Sequence, residues 1–81
     1  MYLSVKSVMP LLDYRLLLKF ENHEDRIFDV QPYLDMGKFS ELKSVDLFHS
    51  VKVSLDSIAW ANHLDFSPKF LYEKSISDSM D

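Results

Sequence analysis

Residues 57–75 read SIAWANHLDFSPKFLYEKS, and they carry the clearest local structural signal in the chain. Its order of residue types predicts a short buried strand that turns and then enters a helix. Ser67 is a strong helix N-cap, and Pro68 suits the first helical position because that position needs no backbone N–H. Phe66 and Leu71 occupy the two positions of a hydrophobic staple. We therefore expect a helix that begins directly after Ser67.

The large side chains of this stretch have two interpretations. We predict that they are structural anchors, because aromatic residues in so short a chain more often form the core than a pocket. The alternative is a ligand pocket lined by Trp60, Phe66, Phe70 and Tyr72. The predicted structural anchors are Trp60, Phe66, Ser67, Pro68, Leu71 and Tyr72.

Alternation of apolar and polar residues predicts strands in the rest of the chain. Val8 breaks the alternation of the first strand, which predicts a bulge or an early end, and Pro10 is expected to stop that strand. A polar connector of hairpin length spans residues 21–25. Gly37, the only glycine, is expected to close a helical turn as its C-cap. The five predicted strands cover residues 2–9, 14–20, 26–30, 51–55 and 58–60.

This order of elements predicts an α+β domain. We expect a small antiparallel sheet of about five strands, in which three strands, short helical turns and two strands follow one another, covered by a C-terminal helix. Residues 1–75 form this single domain, and residues 76–81 are expected to be a flexible acidic tail.

Composition limits the classes of function. The 81 residues contain no cysteine, which removes disulfides and cysteine-based metal sites, and 47% are hydrophobic, which allows a dense core. The net charge of −4 argues against binding to nucleic acid or to an anionic membrane surface. No apolar run reaches the length of a membrane-spanning helix, and the first residues do not resemble a signal peptide. We therefore expect a cytoplasmic protein.

The pattern of motifs resembles the small bacterial family called domain of unknown function 2442, over about residues 3–75. The strongest pieces are IAW at residues 58–60 and LDFSPKFLY at residues 64–72. Family members often carry Trp-Pro-Asn-Gly where this chain has WANH at residues 60–63, and often an Asp-Gly turn where this chain has residues 21–25.

The resemblance implies an α+β fold related to the N-terminal domain of certain helix-turn-helix proteins. It also implies a gene arrangement, because members are often encoded beside a second small protein, in pairs that look like toxin–antitoxin modules. No helix-turn-helix pattern occurs in the 81 residues, so DNA binding is not implied for this chain.

Four acidic residues that lie close together in the sequence form the first candidate interaction surface: Glu21, Glu24, Asp25 and Asp29. Such a surface could cover a basic site on a partner protein. Asp29 could also serve in acid–base chemistry with Arg26 or Arg15 beside it, but the outward face of a strand is the simpler interpretation.

Apolar residues outside the main core pattern form a second candidate. Leu17, Ile27 and Met36 lie off the predicted core faces and could form a partner-binding patch. The edge of the first strand could also accept a strand from another chain.

Chemistry at a metal or ligand site is the alternative to an interaction role. His63 and Asp65 lie together in a predicted turn, but the spacing of the three histidines, His23, His49 and His63, matches no metal-ligand motif. We predict no catalytic residues, no cofactor and no metal.

We thus expect a protein that is not an enzyme and that binds another small protein, with the adjacent gene product and a second copy of the chain as candidate partners. The expected role is the antitoxin-like member of a two-gene pair. The alternative is a small-ligand or metal-binding protein or enzyme that uses the turn at His63 and Asp65.

Overall fold

Two small antiparallel sheets are present in the computed structural model, which describes residues 3–77. The first sheet has the strand order β1-β2-β3-β7, and the second has the order β4-β5-β6. The strands are β1 (Val5–Leu11), β2 (Arg15–Phe20), β3 (Asp25–Asp29), β4 (Lys52–Ser54), β5 (Ser57–Ala59), β6 (Asp65–Phe66) and β7 (Ile76–Ser77).

Short helices connect and cover these strands. Three are 3-10 helices, at Leu12–Tyr14, Gln31–Tyr33 and Gly37–Lys43. The two α-helices are α1 (Val45–Phe48) and α2 (Pro68–Lys74). The predicted α+β class is confirmed, and α2 packs against β3 of the larger sheet.

The five predicted strands correspond to β1 through β5, but they do not form one sheet. β4 and β5 form the second sheet with β6, and the two sheets meet where the Val5 N–H donates to the Asp56 carbonyl at 2.9 Å. Neither β6 nor β7 was predicted, because two residues are too few to show alternation. The assignment of residues 76 and 77 to a tail was wrong, since they pair with β3; residues 78–81 lie outside the described residues.

The first strand runs further than predicted. Pro10 does not stop it but pairs with Leu16, because an edge strand tolerates a proline whose missing N–H points away from its neighbour. The predicted bulge is present, as a shift of register between Val5 and Ser7.

Several turns use left-handed backbone without glycine. The connector between β2 and β3 is a tight turn in which the His23 N–H donates to the Phe20 carbonyl, with φ +70° at His23. Gly37 has φ +52°, but the prediction that it is the C-cap of the preceding helical turn was wrong, because Leu34 is that C-cap and Gly37 begins the next 3-10 helix. His63 has φ +71°, so it adopts the conformation that the glycine of Trp-Pro-Asn-Gly would favour.

The strand and the capped helix predicted within residues 57–75 are confirmed as β5 and α2. Ser67 caps α2 by accepting a hydrogen bond from the Phe70 N–H at 3.2 Å, and Pro68 is the first helical residue. Leu71 is fully buried. Trp60 is also buried, and its Nε1 donates to the Phe48 carbonyl at 3.0 Å, which ties the second sheet to α1.

Aromatic rings fill the space between the sheets and the helices. Phe28 on β3 contacts the ring of Phe66 edge-on, with centroids 5.1 Å apart, and Phe66 stacks on Phe70 at 5.4 Å. These rings belong to one hydrophobic core together with the inward side chains of β2. They form the core or pack against it, as the first interpretation predicted, although Phe66 also lines an open groove beside Pro68.

Candidate interaction surface

The four acidic residues proposed as an interaction surface occupy different environments. Glu21 accepts a hydrogen bond from the Ser4 N–H at 2.8 Å, which lowers the pKa of its carboxyl group. Glu24 accepts from the Tyr72 hydroxyl at 2.8 Å and from Arg26 at 3.0 Å. The carboxyl groups of Glu21 and Glu24 are therefore engaged within the chain.

The other two carboxylates lie at opposite ends of β3. Asp25 forms an exposed ion pair with Lys19 on β2, at 3.3 Å. Asp29 accepts from the Gln31 N–H at 3.0 Å and pairs in register with Arg15. Four steps along the strand separate Asp25 from Asp29 by roughly 13 Å. The structure therefore does not bring the four acids together in one patch.

Glu24 belongs to a polar network that joins the β2–β3 hairpin to the end of α2. Arg26 lies on the inner side of the sheet with its side chain 16% exposed, and its guanidinium donates to Ser75 Oγ and O, both at 2.7 Å. The Tyr72 hydroxyl completes the network through Glu24. That hydrogen bond lowers the pKa of Glu24 and raises the pKa of Tyr72. Because every member has a partner in the chain, we assign this network a structural role.

The outer face of the larger sheet carries a different arrangement. Cross-strand pairing aligns Met9 with Leu17, Leu17 with Ile27, and Ile27 with Ile76. Paired residues point to the same side of a sheet, so these four side chains form one apolar row across all four strands. Met9 is 57% exposed and Ile76 is 68% exposed, while Leu17 and Ile27 between them are half-buried. We call this side of the sheet the outer face.

Charged residues flank the apolar row on both sides. Arg15 and Asp29 pair across β2 and β3 on one side of the row, and Lys19 and Asp25 pair on the other. On this face the two cations are on β2 and the two anions are on β3, and all four residues are exposed. The outer face is therefore charge-balanced, although the chain as a whole carries a net charge of −4.

Part of this surface was predicted from the sequence. Leu17 and Ile27 were assigned to a partner-binding patch, and the structure places them side by side. Met36 was assigned to the same patch, but it lies in the loop before Gly37 and does not belong to the row. Met9 and Ile76 were missed, because the first was placed at the end of its strand and the second in a tail.

The edge of β1 was a further candidate for binding a strand. Its N-terminal end already contacts the second sheet through the hydrogen bond between Val5 and Asp56. β1 also packs against β4 and β5. This end of the edge is therefore occupied within the chain.

The turn at His63 and Asp65 holds no metal-binding arrangement. Within residues 3–77, no group of three or more side chains suited to a metal ion lies together. Asp65 does line an open groove of about 540 Å³, together with Leu55 on the β4–β5 turn and Pro68 at the start of α2. Leu55 is 97% exposed and has φ +55°.

The family model described as "Protein of unknown function (DUF2442)" matches residues 5–77. The chain belongs to this family. No curated protein and no solved structure matches this chain. The match to DUF2442 begins at the first residue of β1 and ends at the last residue of β7. The whole outer face therefore lies within the part of the chain that defines DUF2442.

None of the helices in the described part of this DUF2442 protein is long and apolar enough to cross a membrane.

Proposed function

We propose that this protein is a protein-interaction module that acts without catalysis and binds its partner through the outer face of the larger sheet. The observation that carries the proposal is the apolar row of Met9, Leu17, Ile27 and Ile76. Antiparallel sheets commonly bury one face and leave a polar face in water. Here the face away from the core is apolar along its middle, which is typical of a surface that another protein covers.

The distribution of charges supports an interaction of this kind. An interface usually has an apolar centre and a polar rim, and the outer face has charged pairs on either side of the apolar row. The acidic residues engaged within the chain, Glu21 and Glu24, contribute less to this proposal than Asp25 and Asp29 on the outer face.

We propose a small protein as the partner, with the product of the adjacent gene and a second copy of this chain as the candidates, and an antitoxin-like role for this chain. The choice of the adjacent gene product and of an antitoxin-like role is supported by the paired gene arrangement that the family resemblance implies.

Co-expression of the chain with the adjacent gene product tests the proposal. Met9→Lys places a charge in the exposed part of the apolar row and should abolish co-purification of a bound partner. The matched control is Leu55→Lys, which adds the same charge at an exposed leucine on the β4–β5 turn. Circular dichroism should show that both variants fold. Co-purification that survives Met9→Lys would argue against the outer face as the binding surface.

A second candidate function is the binding of a small ligand in the groove beside Asp65. The observation in its favour is the groove itself, which is lined by Leu55, Asp65 and Pro68 among others. A screen of thermal shifts with divalent ions and small metabolites would test it. A shift that Asp65→Asn removes, while Met9→Lys leaves it intact, would support the groove over the outer face.

A further inference from the structure

We infer that the partner at the outer face is a second copy of this chain, packed face to face about a two-fold axis that runs parallel to the strands between β2 and β3. This inference rests on the proposed function, because it names the occupant of the same surface. The basis is a symmetry in the arrangement of side chains across the four strands.

The apolar row is symmetric about the boundary between β2 and β3. A two-fold rotation about an axis along that boundary lays β2 of one copy over β3 of the other, and β1 over β7. Leu17 then lies over Ile27 of the second copy, and Met9 lies over Ile76 of the second copy. Each exposed apolar side chain is thereby matched with another. A closed two-fold interface of this type is the commonest arrangement of protein homodimers.

The same rotation places the cations of β2 opposite the anions of β3 in the second copy. Arg15 and Asp29 lie in one row, so Arg15 of one copy faces Asp29 of the other. Lys19 and Asp25 lie in the row on the other side of the apolar centre, so Lys19 faces Asp25 of the second copy. Every cation therefore meets an anion, and no like charges are opposed within these rows. A partner with a uniformly basic surface would instead place its cations over Arg15 and Lys19.

Sheet twist does not disrupt this match. Two sheets that pack face to face cross at about 30°, and adjacent rows of side chains on one face are about 6.8 Å apart. The crossing displaces the charged rows, and also Met9 and Ile76 at the two ends of the apolar row, by roughly 3–4 Å. Leu17 and Ile27 stay near the centre of the face. Arg15 and Lys19 have long, flexible side chains that can span this displacement.

The size of the face sets the expected affinity. Four strands at a spacing of about 4.8 Å and three rows of side chains give a face of roughly 15 by 15 Å. A face of this size is well below the roughly 800 Å² per partner of a standard specific interface and is the size of a weak contact. The dimer should therefore be weak, with association that depends strongly on protein concentration.

Sedimentation equilibrium over a series of concentrations at low salt tests the inference. The wild-type chain should form dimers, and Met9→Lys should remain monomeric while Leu55→Lys dimerises like the wild type. Lys19→Glu and Asp25→Lys should each weaken dimerisation by about tenfold or more, because each places like charges opposite one another in both symmetric contacts.

Charge restoration gives the sharper test. An equimolar mixture of the Lys19→Glu and Asp25→Lys variants should form a heterodimer, because Glu at position 19 then faces Lys at position 25 of the other chain. The double variant Lys19→Glu/Asp25→Lys should form a homodimer again for the same reason. Lys52→Glu on β4, which is exposed and off the outer face, is the control for the change of charge.

The outcomes separate this inference from the proposed function. A monomeric wild type, or a dimer that none of the outer-face variants weakens, would overturn the inference. If the wild type is monomeric but Met9→Lys abolishes binding of the adjacent gene product, the outer face remains the binding surface with a different occupant. A monomeric wild type whose binding of that product survives Met9→Lys, or that binds no such product, would overturn both.

Discussion

The guanidinium of Arg26 lies over the ring of Tyr72, 4.3 Å from the ring centre, and joins the β2–β3 hairpin to the C-terminal end of α2. The same group donates two hydrogen bonds to Ser75, which is buried. Arg26 is on the inner side of the sheet because it pairs in register with Leu18, a core residue. Each of the three nitrogens of this guanidinium on the core side of the sheet thus donates to a partner within the chain.

Replacement of Arg26 should destabilise the fold. Arg26→Met keeps much of the side-chain volume but leaves the Ser75 oxygens without a donor, and we expect a loss of about 2 kcal/mol in the free energy of unfolding. Arg26→Lys keeps the charge but not the forked geometry, so its loss should be smaller. Urea denaturation measures both. Equal stability of Arg26→Met and the wild type would show that the network contributes nothing.

Acidification should weaken the same network. The hydrogen bond from the Tyr72 hydroxyl, assisted by Arg26, holds the pKa of Glu24 below its ordinary value of 4.5. A carboxyl group whose pKa is depressed by folding adds stability that is present above pH 4.5 and is lost as the pH falls through its folded pKa. The free energy of unfolding of the wild type should therefore drop more on acidification than that of Glu24→Gln.

Glu21→Gln is the matched comparison for this pH dependence. The pKa of Glu21 is also depressed, by the Ser4 N–H, but Glu21 is outside the Arg26 network. Glu21→Gln should keep the part of the acid sensitivity that arises from Glu24. If Glu24→Gln and the wild type lose stability in parallel as the pH falls, the carboxylate of Glu24 is not stabilised by folding.

Replacement of Leu55 by glycine should stabilise the chain. Leu55 occupies the two-residue turn between β4 and β5 with φ +55°, a conformation that costs a leucine roughly 1 kcal/mol more than a glycine. Because the side chain is almost fully exposed, its removal loses little packing. We expect Leu55→Gly to raise the melting temperature. Leu55→Ala, which keeps the strained backbone, is the control and should not raise it.

Loss of the Ser67 cap should weaken α2. Ser67→Ala removes the acceptor of the Phe70 N–H and should lower the free energy of unfolding by about 1 kcal/mol. Ser67→Asp preserves an acceptor at this position and should remain close to the wild type. Ser40→Ala, at an exposed serine within a 3-10 helix, controls for the loss of a hydroxyl group. Thermal or urea denaturation compares the three variants.

The local elements could be predicted because each depends on residues that are close in sequence. Leu16, Leu18 and Phe20 share one face of a strand whose other face carries two charged residues. This period-two pattern indicates a half-buried strand wherever the chain places it. Ser67 and Pro68 define the start of α2 through the backbone N–H groups that they cap or omit. Errors occurred where the local signal is absent, as at Ile76, or where position within the sheet overrules it, as at Pro10.

The candidate surface could be predicted only in part. Leu17 and Ile27 interrupt the polar side of their strands, so the sequence alone marks them as apolar residues outside the core. The sequence cannot align them with Met9 and Ile76, because that alignment depends on the register of β1 with β2 and of β3 with β7. The acidic residues 21, 24, 25 and 29 were grouped because they are close in sequence. In the structure, the turn before β3 and the alternation of side chains along β3 separate their carboxyl groups.

Local sequence was sufficient to predict the five longer strands, the capped helix α2 and the core-facing side of β2. It did not predict that Val53 and Leu55, which alternate with polar residues, are exposed. Its period-two patterns and capping residues act over a few positions and need no distant partner. Contacts between distant segments divide these strands into two sheets and align four apolar side chains in one exposed row, which consists of Met9, Leu17, Ile27 and Ile76. The physical reason is that strand order and register are set by hydrogen bonds and packing between segments far apart in the chain.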